Sequence, residues 1–287
     1  MNALTDQIIT LLSSTLIAVM LIAAGIGVFR QSRPDFHQGA LKWHVNVDNL
    51  SIPDLVLCII TILYFSMGAI IAAATPPGAS APPSLTNINI TTWQVINGTC
   101  LNLVVALVLL GRMVLSGRIE ALGLKKHSIS TLIGLPVAGY LLVLGIHFCL
   151  DRLGLFHLIE YLTDAPMEQT IVSFLRSSHN LPLVLALCFS AGIAAPIVEE
   201  LVFRGYLYPI MKKYTGAWFA VITTSLLFGV IHVSLIPLIP LAILAVVLVL
   251  MYEYTGSIWP PIITHCLFNA VTLVNVLQPG LFLHYAS

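Results

Sequence analysis

Charge is scarce in this chain. Only 8% of its 287 residues are Asp, Glu, Lys or Arg, against 58% hydrophobic ones, and that balance excludes an ordinary soluble globular domain. The 12 basic and 12 acidic side chains cancel to a formal charge of zero, and the basic ones are scattered over several loops, so no stripe is offered to nucleic acid. Cysteine is sparse as well. Cys58, Cys100, Cys149, Cys188 and Cys266 fall in or beside apolar runs, where a thiol packs as a small hydrophobe, and no disulfide framework is expected. The metal-protease pattern His-Glu-x-x-His is missing, no internal repeat is apparent, and the last residues, His284-Tyr285-Ala286-Ser287, are not a prenylation box.

Apolar runs take the place of charge. A helix needs about 20 mostly apolar residues to cross the hydrocarbon core, and about eight such runs are present, near 8–29, 55–74, 94–115, 130–150, 183–207, 218–234, 236–252 and 258–277. The expected fold is therefore all-α: one polytopic transmembrane domain over residues 1–287 with about eight helices. The first run is too long for the apolar part of a signal peptide and lacks a basic flank, so it reads as a retained helix.

Lys and Arg are disfavoured in translocated short loops. With the eight spans above, Arg30, Arg33, Lys42, Arg112, Arg118, Lys125, Lys126, Arg204, Lys212 and Lys213 lie at one face, and Arg152 and Arg176 at the other. Both termini are then expected outside the cytoplasm. The stretch 74–92 is rich in Pro, Ser and Thr and suits an exposed loop. Asn89-Ile-Thr91 and Asn97-Gly-Thr99 match the glycosylation acceptor pattern, which is common by chance. The external segment 151–182 repeats apolar residues at helical spacing, among them Leu153, Leu155, Phe156, Leu158 and Ile159. It reads as a surface connector, an interfacial amphipathic helix or a lid.

Against this background Pro196-Ile-Val-Glu-Glu-Leu-Val-Phe-Arg-Gly205 stands out, with three charges inside an apolar run. Each charge near the bilayer centre costs about 2.5–3.5 kcal/mol unless it is paired or hydrated. Glu200 and Arg204 are four apart, the acid first, which is the favourable order for a helical ion pair. Glu199 points about 100° away and that pair does not satisfy it. Partners are available in other spans. His232 closes Phe228-Gly-Val-Ile-His232, and His265 and Asn269 share one face of the last helix at a spacing of four. Pro260 and Pro261 suit the first turn of that helix, whose positive dipole end favours a developing oxyanion. Counting about 1.5 Å per residue from the span ends puts Glu199 and His265 in the cytoplasmic half and His232 nearer the outer face.

Glu-Glu-x-x-x-Arg at 199–204, Phe-x-x-x-His at 228–232 and His-x-x-x-Asn at 265–269 resemble the three motifs of the CAAX-protease and bacteriocin-processing (CPBP) family. The resemblance covers residues 183–280, the catalytic core helices, and leaves the four helices of 1–150 without a motif. It implies a hydrolase, a glutamate-dependent intramembrane endopeptidase working without metal or other cofactor. Glu199 with His232 would activate water, and His265 with Asn269 would hold the oxyanion. Glu200 and Arg204 would shape the site or hold substrate. The implied partners are a peptide or protein substrate, lipidated or not, and membrane lipid, and the implied location is the plasma (inner) membrane of a bacterium.

Other readings of the same residues stand beside this one. Glu199, His232 and His265 suit zinc, as a membrane metallopeptidase. Cys266 as nucleophile is disfavoured because it points about 100° from His265. Intramembrane Glu and His also build proton relays in transporters, although broken helices in two related halves are not evident. A scaffold or immunity protein of the same fold, catalytically silent, is the last alternative.

Overall fold

The structure is a computed structural model, and it describes residues 3–31, 45, 47, 50–74, 92–124, 127–163, 175, 178, 180–232 and 234–278. The residues around Asn89, the loop lysines Lys125 and Lys126, Arg33, Lys42, Arg176 and much of the external segment after Thr163 lie outside that set.

Nine helical runs order the described chain: α1 (Ala3–Gln31), α2 (Ile52–Ala74), α3 (Thr92–Leu115), α4 (Ser130–Arg152), α5 (Leu155–Thr163), α6 (Leu181–Thr215), α7 (Ala217–Val230), α8 (Leu235–Thr255) and α9 (Trp259–Leu277). Six of them are long and apolar enough to cross a membrane, and Ile52–Ser66 and Ala217–Val230 are shorter apolar helices. The expected all-α membrane architecture of about eight apolar helices therefore stands, and the chain is an integral membrane protein.

Local chemistry explains the breaks. Asn180 caps α6 by accepting the Leu183 N–H at 3.2 Å, and Pro182 fits the first turn. Gly216, at φ +90°, separates α6 from α7, a conformation that side chains resist. The α7–α8 hairpin closes tightly, because a Cβ on Gly229 would come within 2.6 Å of the Leu238 carbonyl. Asn97 and Thr99 belong to α3, within the expected span 94–115, with the Thr99 hydroxyl donating to Val95 O at 2.8 Å. The external segment does contain a helix, α5, and it docks through Phe156, which stacks 4.9 Å from His147.

Two boundaries differ from expectation. α6 runs on to Thr215 rather than stopping near 207, because its lysines are not loop charges. Lys212 Nζ donates to Glu253 Oε1 at 2.6 Å and to Val45 O at 2.8 Å, and Lys213 Nζ donates to Leu50 O at 2.6 Å. Residues 202–212 are buried without exception, which makes the inner half of α6 the central rod of the bundle. α7 is short, with 14 residues, about 21 Å at the helical rise. It ends well before it could cross a hydrocarbon core of about 30 Å.

Candidate active site

Pro196 shapes the helix that carries the acidic pair. The turn Ser190–Ala194 is widened, with the Ala195 N–H bonding to Ser190 O instead of Ala191 O. In such a turn the next donor onto Ala191 O would be residue 196, and proline has no N–H. Asn269 of α9 fills the gap, its Nδ2 donating to Ala191 O at 2.7 Å. The carboxamide expected to serve as an oxyanion donor thus spends one N–H on the backbone of α6 and keeps the other.

One turn further on, Glu200 is fully buried and its Oε1 is shared. Arg204 donates to it at 2.7 Å and His265 Nδ1 at 2.8 Å. The Arg204 guanidinium also donates to Ala245 O at 3.2 Å and lies 4.8 Å from the centre of the Phe228 ring. The expected i, i+4 ion pair is present, but Arg204 is interior to the bundle and is not one of the charges of the basic face. Because His265 Nδ1 faces a carboxylate, that nitrogen carries the hydrogen and the ring orientation is fixed. Nε2 then faces Glu199, 3.8 Å from its Oε2. This separation is too long for a direct hydrogen bond. Glu199 keeps 19% of its side chain exposed, while His265 is closed in.

His232 arrives from α7. Its Nδ1 lies 2.7 Å from Phe228 O, so Nδ1–H donates there and Nε2 is left to exchange protons. Phe228 wedges between the two imidazoles, 5.0 Å from His232 and 5.5 Å from His265 by ring centroids. The extension of α6 to Thr215 changes the height expected for Glu199 relative to His232. Glu199 stands about 17 residues before Gly216 and His232 about 16 after it, so at about 1.5 Å per residue both sit roughly 25 Å from that turn. His232 lies past the end of α7, half buried, and by this count level with Glu199.

Three helical segments therefore bring polar side chains to one region: Glu199, Glu200 and Arg204 of α6 meet His265 of α9, His232 stands across the Phe228 ring, and Asn269 is bonded to Ala191 O. The nearest partner of Glu199 is His265, where the sequence pointed to His232. Among the described residues no three His, Cys, Asp or Glu side chains are grouped so as to hold a metal ion. Cys266 is half buried and packs against the core.

Sequence reading missed a second polar cluster toward the Lys212 end of α6. Asp54 pairs with Arg112 at 2.8 Å and accepts the Tyr206 hydroxyl at 3.2 Å. Glu253 accepts from Lys212 at 2.6 Å and from Tyr208 at 2.7 Å. The available signal was the coincidence of lone acids and bases at the ends of different spans.

Residues 181–271 match the family described as Type II CAAX prenyl endopeptidase Rce1-like, a stretch that contains every candidate site residue. Over 160 residues the chain is 26% identical to the Bacillus subtilis (strain 168) protein named "Putative membrane peptidase YdiL", covering 54% of this chain and 61% of that protein. The chain thus matches about three fifths of that relative's length. No solved structure matches it. The two sequence matches bear out the resemblance to the CPBP family read from the three motifs.

Proposed function

We propose that this protein is an intramembrane endopeptidase in which Glu199 activates water for attack on a peptide bond. The observation that carries this reading is the clamp on His265, one imidazole set between two glutamates inside an apolar bundle. Glu200, neutralised by Arg204, fixes the Nδ1 side of the ring, and the Nε2 side is thereby aimed at Glu199. A water resting between Glu199 Oε2 and His265 Nε2 would be polarised from both sides. It adds to the carbonyl carbon as its proton passes to Glu199. The tetrahedral oxygen is held by hydrogen-bond donors at the site, for which the free N–H of Asn269 is the candidate, joined by His265 if the imidazole enters the reaction with Nε2 also protonated. Collapse expels the amine, which takes up the proton from Glu199 directly or through His232 Nε2, giving one carboxylic acid and one amine per water consumed.

Glu200 and Arg204 are positioning residues in this scheme, since both are closed off from any substrate. Glu199, partly exposed, is the group a substrate meets. The substrate is a peptide or protein segment reaching that depth of the membrane, and the host is a bacterial plasma membrane with both termini outside the cytoplasm. The scheme uses no metal.

The test is proteolysis in reconstituted vesicles with a quenched peptide library, comparing wild type with Glu199→Gln. The amide keeps the shape but is no base, so cleavage should vanish while thermal stability is retained. Equal cleavage by the variant would refute the role of Glu199. Loss of wild-type activity in EDTA or phenanthroline, restored by zinc, would replace the scheme with a metallopeptidase. A cellular phenotype supported equally by both proteins would identify a scaffold.

A further inference from the structure

Arg118 lies well outside this site, in the turn after α3. Its backbone is held firmly, with its own N–H donating to Met113 O at 2.7 Å. The short turn Ile119–Leu122 that follows is tied to α8 and α9 through the Tyr252 hydroxyl on Ala121 O and the Ile258 N–H on Leu122 O, both at 2.8 Å. The side chain is turned inward. Arg118 is only 4% exposed, and both terminal guanidinium nitrogens are buried without a hydrogen-bond acceptor. Buried polar groups are nearly always paired, and an exception calls for an explanation.

Its charged surroundings do not supply one. Asp54 and Arg112 are the ionised groups close enough to act on it, with the hydroxyls of Tyr206 and Tyr252 beside them. Asp54 is already engaged. Its Oδ2 accepts from Ser51 N at 2.8 Å, Ser51 Oγ at 2.6 Å and Arg112 at 3.1 Å, while Oδ1 accepts from Tyr206 and pairs with Arg112 Nε at 2.8 Å. Two guanidinium groups against one carboxylate leave a single positive charge over. Burial pulls the Arg118 guanidinium below its ordinary value, yet arginine does not give up its proton in proteins. A bound anion would supply both the acceptors and the balancing charge.

Position narrows the choice of anion. The apolar span of α3 ends at Leu115, three residues before Arg118, where hydrocarbon gives way to headgroups. Arg112, a turn and a half earlier, keeps 28% of its side chain exposed, which opens this corner to the lipid boundary. Phosphate matches the planar fork of a guanidinium.

We infer that Arg118, flanked by Arg112, forms a binding site for a phosphate group at this end of the bundle. The headgroup of an anionic lipid and free phosphate are its two sources. The site does not depend on the peptidase reading.

Native mass spectrometry of delipidated protein titrated with phosphatidylglycerol, and separately with inorganic phosphate, tests it. One phosphatidylglycerol should be retained by wild type and bound about tenfold more weakly by Arg118→Met, the loss expected for one charge-assisted pair. A response to inorganic phosphate alone that depends on Arg118 keeps the site and assigns it to the free ion. Arg118→Met should fold at least as well as wild type in lipid-free detergent, since it removes an unpaired buried cation. Should it fail to insert, Arg118→Lys, which keeps the charge without the fork, takes its place and should still bind more weakly. Binding of both ligands that is unchanged by the substitution, or no specific adduct in any protein, overturns the inference.

Discussion

Removing the Glu200 carboxylate should cost more stability than removing Glu199, although the two are neighbours in sequence. Glu200 is completely buried and one of its oxygens takes two donors, Arg204 at 2.7 Å and His265 at 2.8 Å. In Glu200→Gln the amide oxygen can take the place of Oε1 and keep both hydrogen bonds, but the charge that balances Arg204 is lost and the amide N–H groups are buried where Oε2 had no partner. Arg204 keeps its bond to Ala245 O and its place over Phe228, neither of which neutralises it. Stranding a buried partner in this way typically costs about 3–5 kcal/mol. Arg204→Met alone should cost a similar amount, by leaving Glu200 charged with only His265 beside it. The double variant removes both charges and keeps the volume, so its cost should fall well below the sum of the two single costs. A double-mutant cycle on the unfolding of detergent-solubilised protein reads that difference directly, with an expected coupling of about 2–3 kcal/mol. Cleavage should separate from stability, because the recovered double variant still lacks the Glu200 carboxylate beside His265 Nδ1 and should remain slow. Single costs below about 1 kcal/mol, or additive costs, would refute the argument that this pair is one buried unit.

Asn269→Ala should act twice: it leaves Ala191 O unpaired, for about 1–3 kcal/mol of stability, and it removes a candidate oxyanion donor, for about 10²–10³ in cleavage rate. A rate loss without a stability loss in thermal melts would mean that the Ala191 contact is not made. For topology, cysteines placed at Leu124 and at Tyr161, both exposed and at opposite ends of α4, should react with an impermeant thiol reagent from opposite sides. Leu124 should react only from the cytoplasm, and labelling there in intact cells would reverse the assigned orientation. Lys212 would be a poor probe, being 3% exposed.

The helices were legible because each is a long apolar run, and the ion pair Glu200–Arg204 because a spacing of four is a local property of one helix. What the sequence concealed was contact between elements. Nothing in the spacing of residues 199–204 says that His265 rather than His232 comes up to Glu199, since that choice depends on how α9 is rotated against α6. The height of His232 relative to Glu199 was misjudged because α6 continues to Thr215, eight residues past its expected end, which carries Glu199 further from the turn at Gly216. Lys212 and Lys213 looked like markers of a membrane face for a similar reason: their partners, Glu253 and the backbone of Val45 and Leu50, are about 40 and about 165 residues away.

One substitution would show how the backbone of α6 and the chemistry depend on each other. Pro196 looks in sequence like a helix breaker in the middle of a span, yet the helix passes through it. The widened turn before it moves the missing donor onto a single carbonyl, Ala191, and Asn269 answers that carbonyl from α9. The same α9 face carries His265, one turn earlier, to Glu200. A proline-induced defect thus fixes α9 against α6 at two points four residues apart, and two points set both the height and the rotation of one helix on another. A residue with its own N–H at position 196 would let Ala191 O be satisfied within α6, leaving Asn269 without its task. The rotation of α9 would then rest on the His265–Glu200 bond alone, which is the contact that aims Nε2 at Glu199.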